Sequence, residues 1–94
     1  MDEEIAVLNQ GEIVFRGTVR ELLKLVENKV YTVEISTSEL EKVKKRYLVT
    51  GMLTSGSLTK VKLIAEKRPF ESATPCSADV EDAYMYLMKQ QEVK

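Results

Sequence analysis

The sequence predicts an α+β fold: an N-terminal β-hairpin and helix, followed by a small β-α-β-β-α unit with a mostly antiparallel sheet. Three observations predict it. Several short runs alternate apolar with other residues, the period of half-buried strands. Three other stretches place apolar side chains at steps of three and four residues behind a Ser, Thr or Asp able to cap a helix. The strand runs also carry charged residues on alternate positions, which leaves one face wet, as in antiparallel sheets.

Ile5, Val7, Ile13 and Phe15 alternate with other residues on either side of Gln10-Gly11. Glycine tolerates the positive φ that a two-residue hairpin turn requires. Gly17 ends the second run, and Thr18-Val-Arg-Glu21 reads as a capping box opening a helix from about Thr18 to Glu27. Val19, Leu22, Leu23 and Val26 make its buried stripe, and Asn28 is the stop signal. Val30 to Ser36 follows as a strand, with Tyr31, Val33 and Ile35 on one face and Thr32 and Glu34 on the other.

Ser38-Glu-Leu-Glu41 reads as a second capping box, opening a helix whose stripe is Leu40, Val43 and Tyr47. Its first turn carries Glu39 and Glu41 and its last turn Lys44, Lys45 and Arg46, the order that complements a helix dipole. That basic run reads as a solvated helix end in preference to a phosphate-contacting patch. Leu48 to Leu53 and Leu58 to Ala65 read as strands joined by the turn Thr54-Ser-Gly-Ser57. Val61 and Leu63 alternate with Lys60, Lys62 and Glu66, so this strand also has a wet face, and outward lysines discourage edge-to-edge pairing. Lys67 to Ser77 holds both prolines and reads as an irregular loop. The last helix begins near Asp79, with Asp79 to Asp82 placing carboxylates over its N-terminal amides. Val80, Ala83, Tyr84 and Leu87 form its stripe, and Met85, Tyr86 and Met88 widen the apolar surface beyond one face.

Composition narrows the function. Ninety-four residues suffice for one small domain of modest stability. Fourteen basic and fifteen acidic residues give a net charge of −1, so no overall field gathers nucleic acid or anionic membrane. The only aromatics are Phe15, Tyr31, Tyr47, Phe70, Tyr84 and Tyr86, without the closely spaced pair that stacks RNA bases. There is no histidine, which removes the commonest general base and metal ligand. Cys76 is the sole cysteine and reads as a packing residue, compatible with a reducing compartment. No apolar run approaches a membrane span, and the acidic start Met-Asp-Glu-Glu is unlike a secretory signal; a soluble, cytoplasmic protein is expected.

The stretch Ile5 to Leu22 resembles the segment after the switch histidine in ATP-binding subunits of ABC transporters, roughly I-A-V-L-x-x-G-x-I-V-x-x-G-T-P-x-E-L. It matches at Ile5 to Leu8, Gly11, Ile13, Val14, Gly17, Thr18, Glu21 and Leu22, and departs at Val19, where the family usually has proline. Val80-Glu-Asp-Ala-Tyr84 is similar to the L-E-D-x-[FY] pattern that closes many export-type ATPase subunits. The layout between these ends is similar to the family's variable α+β extension. The resemblance implies that residues 1–28 are the terminal hairpin and helix of an ATPase core, and residues 29–94 a C-terminal accessory domain.

The phosphate-cradling G-x-x-x-x-G-K-[ST] loop, signature and switch histidine of that family do not occur in this chain. No catalytic, cofactor-binding or metal-binding residue is therefore assigned. ATP and magnesium are implied only for a full-length parent. The resemblance implies an upstream ATPase core and a membrane subunit as partners, at the inner face of the cell membrane and without insertion into it. Exposed edges seek partners, so a homodimer is expected, with Val14, Phe15, Tyr84, Met85 and Met88 as interaction residues. The alternative is an independent small regulatory or ligand-binding α+β domain, although no convergent polar cluster is visible in the sequence.

Overall fold

The computed structural model describes residues 3–92 and has the predicted α+β class: two antiparallel sheets and three α-helices. Strands β1 (Glu4–Asn9) and β2 (Glu12–Thr18) form a two-stranded hairpin. Its turn holds Gln10 at φ 53° and Gly11 at φ 82°, the paired left-handed conformation that matches strand twist. Val7 faces Phe15 but Leu8 faces Ile13, which leaves Val14 as the bulge residue.

Helix α1 (Val19–Lys24) starts at the predicted capping box. The Glu21 amide donates to Thr18 Oγ1 at 3.1 Å, and the Thr18 amide donates to Glu21 Oε1 at 2.8 Å. The helix is shorter than expected: it gives way to tight turns after Lys24, and Asn28 takes φ 64° where the stop was read.

The second sheet has the order β4-β5-β3-β6, every pair antiparallel, from β3 (Val30–Ser36), β4 (Leu48–Ser55), β5 (Leu58–Ile64) and β6 (Thr74–Pro75). The short β6 lies inside the segment expected to be wholly irregular. The β4–β5 turn is tighter than expected, only Gly56-Ser57, with Gly56 at φ 62°. Between β3 and β4 lies α2 (Leu40–Arg46), where the expected capping box at Ser38 is not formed. A 3-10 turn, Thr37–Glu39, precedes the helix, and the Ser38 hydroxyl is 2.9 Å from that of Ser36. Local side-chain bonding has diverted the would-be cap.

The four-stranded sheet separates two cores. On one face Tyr31, Val33, Val61 and Leu63 pack with Val43 of α2 and with Ala73, flanked by an edge-on Tyr47–Phe70 pair at 5.9 Å. On the other face Val30 and Ile64 meet Leu22 and Val26 from the α1 region and Ala83 and Leu87 from α3 (Val80–Glu92). That face was expected to be wet, and the expectation holds only for its far end, where Glu34 and Lys60 are exposed. At the near end α1 and α3 cover it.

Candidate interaction surfaces

The hairpin lies on the second core through Ile5, Val7 and Phe15. Its other side is bare. Leu8 and Ile13 face each other across the ladder and stay 58% and 49% exposed. Two exposed large aliphatics paired on a hairpin make a compact apolar patch. Among the described residues the hairpin pairs with no third strand, so both of its long edges keep unpaired backbone groups.

The interaction residues read from the sequence divide. Tyr84 is 45% exposed and available. Val14 is half-buried in its bulge, and Phe15 is half-buried and turned onto the core. Met85 and Met88 are half-buried, Met88 against the same core. The strand register decides the difference: the bulge at Val14 exposes Ile13 in place of Val14 and Phe15. Alternation alone does not reveal a bulge.

A polar cluster ties α3 to the sheet. Asp79 and Asp82 cap reciprocally: the Asp82 amide donates to Asp79 Oδ1 and the Asp79 amide to Asp82 Oδ2, each at 2.9 Å. Lys62, on β5, reaches this cap, 2.7 Å from Asp82 Oδ2 and 3.4 Å from Asp79 Oδ2. Asp82 is buried, at 2% exposure. Its hydrogen bond holds the Lys62 ammonium above its ordinary pKa of 10.5 against the opposing effect of burial, with the charges of Asp82 and Asp79 adding to the rise. The Asp79 carboxyl lies below its ordinary 3.8, first because the Asp82 amide donates to it. The sequence placed these carboxylates at the helix start but gave no sign that a strand lysine would join them.

Cys76 packs half-buried against the second core, and burial pushes its thiol pKa up, as expected for packing rather than reactivity. Among the described residues no three His, Cys, Asp or Glu side chains converge as a metal site requires, and no helix is long and apolar enough to cross a membrane. No family model matches the chain, and the comparisons with curated proteins and with solved structures gave no match either.

Proposed function

We propose that this chain is a non-catalytic accessory module of an ABC transporter ATP-binding subunit, acting by docking rather than by chemistry. One observation carries the reading. The two stretches that resemble the family, Ile5 to Leu22 and Val80 to Tyr84, lie at opposite ends of the sequence yet share one core. Ile5, Val7, Phe15 and Leu22 pack there with Ala83 and Leu87, the latter one turn beyond the motif. A chance match at either end would carry no such requirement to meet the other.

In this reading the hairpin's outer side, with Leu8 and Ile13, is the surface on which an ATPase core or a second subunit rests. ATP and magnesium act in that core. The module sits at the inner face of the membrane and supports association or coupling. The test is the coding frame upstream of Met1 in the source DNA. An in-frame phosphate-loop motif, signature and switch histidine are the expected result. A frame that opens at Met1, with no ATPase core gene beside it, overturns the proposal.

A further inference from the structure

Two adjoining hollows open where α2 ends, β4 begins and β5 ends. They are open depressions of about 690 and about 330 Å³, and Arg46, Tyr47, Leu48 and Lys89 line both. Their walls bring together six cations: Lys44, Lys45, Arg46, Lys67, Arg68 and Lys89. The single carboxylate among the lining residues, Glu66, is already 3.5 Å from the Lys29 ammonium. The whole sequence has fourteen basic and fifteen acidic residues, so the part outside the groove holds eight cations against fourteen carboxylates. A chain of net charge −1 is thus strongly divided, and the overall balance conceals the division.

Charge complementing a helix end accounts for residues 44–46 on α2. It does not account for Lys67 and Arg68, which follow β5, or for Lys89 on α3, arriving at the same hollow. Like charges gathered in one depression repel each other. The ion pairs at hand relieve this little: Lys44 to Glu41 at 3.8 Å and Lys89 to Glu92 at 3.9 Å are exposed contacts within single helices. A bound anion would offset part of this repulsion.

We propose that this groove binds a phosphoryl anion, either the phosphate ester of a small molecule or the phosphate of an anionic lipid headgroup. Arg46 and Arg68 offer planar forks that match phosphate oxygens two at a time, and the lysines add point charges. Leu48, Pro69 and Tyr86 give the groove an apolar wall for the ester's organic body, and its volume suits a small-molecule ligand. The proposal goes beyond the transporter reading and does not rest on it.

The test titrates the full chain with inorganic pyrophosphate by calorimetry. In parallel, the chain is sedimented with phosphatidylcholine vesicles, with and without phosphatidylglycerol. Arg46→Gln and Arg68→Gln are each expected to weaken binding about tenfold, the loss of one charge-assisted contact. Lys60→Gln, outside the groove, leaves it unchanged. All three side chains are exposed, so the variants fold, which circular dichroism verifies. Pyrophosphate binding that the groove variants weaken supports a soluble ester. Binding only to phosphatidylglycerol vesicles, weakened by the same variants, supports a lipid headgroup. Binding to neither probe, or binding that Lys60→Gln weakens as much as Arg68→Gln, overturns the proposal.

Discussion

Replacing Lys62 with methionine keeps much of the aliphatic stem and removes the ammonium 2.7 Å from Asp82 Oδ2. The Asp82 side chain is only 3% exposed, so water replaces the lysine poorly; the Asp79 amide remains as its hydrogen-bond donor. Removing one partner of a fully buried pair costs about 3–5 kcal/mol. The Lys62 side chain is 26% exposed, and solvent already screens part of the interaction, so about 2–3 kcal/mol is expected. A chain of this length has a total stability of roughly 5–14 kcal/mol. At about 4–8 °C per kcal/mol, the melting temperature should fall by roughly 10–20 °C.

Asp82→Asn completes a cycle. The amide oxygen can still accept from the Asp79 N–H, but the charge is gone. In the double variant neither charge is left without the other, so its loss should be smaller than the sum of the single losses by on the order of 1–2 kcal/mol. Urea unfolding at neutral pH, followed by circular dichroism, measures all four corners. If the two losses add to within about 0.5 kcal/mol, the pair does not couple α3 to the sheet and the reasoning fails.

Two further outcomes are expected. Leu8→Lys combined with Ile13→Glu, an opposite-charge pair across the ladder, should change the unfolding free energy by no more than about 1 kcal/mol, because both side chains are already about half exposed, while abolishing self-association in light scattering; a wild-type chain that is monomeric at high concentration would refute self-association through the hairpin. Stability should also fall at both pH extremes. Asp79 has a lowered folded pKa, so its contribution is present above the ordinary 3.8 and is lost as pH drops through the folded value. Lys62 has a raised one, so its contribution is complete below 10.5 and is lost as pH climbs past the folded value. Urea midpoints across pH check both, and a Lys62→Met chain that keeps the full alkaline loss would show that another group is responsible.

Much of the fold was legible because it is local. Thr18 and Glu21 lie one turn apart, Gln10-Gly11 needs only its own φ angles, and the alternation of Tyr31, Val33 and Ile35 survives as one packed face. What could not be read depends on register and on distance. The missing cap at Ser38 was lost to a neighbour two residues away, a competition that propensity does not resolve. The bulge at Val14 moved exposure from Phe15 to Ile13. The basic groove joins α2, the segment after β5 and α3, so the run at Lys44 to Arg46, seen alone, reads as a helix end and nothing more.

The change of layout at Asn28-Lys29 is a change of sheet but not of core. Val26 lies before it and Val30 after it, and both are buried in the cluster that holds Leu22, Ala83 and Leu87. The four-stranded sheet enters that cluster with buried residues only through the facing pair Val30 and Ile64. Its own core, on the opposite face, draws on residues from Tyr31 to Ala73 alone. Most of residues 29–78 therefore fold around an interior of their own and meet the rest at a junction formed by the Val30–Ile64 pair, by Leu48, Cys76 and Ala78 packed beside it, and by the Lys62–Asp82 bridge. Such a unit can change internally without disturbing the hairpin, α1 and α3, provided the junction is kept. That is the physical condition the proposed accessory-module reading requires of this middle segment. It predicts that Leu22→Ala, at the centre of the shared core, loosens the hairpin and α3 together and costs about 2–5 kcal/mol. Hydrogen exchange would show the two elements losing protection in step; loss confined to α1 and the hairpin, with α3 unaffected, would mean that the ends do not form one unit.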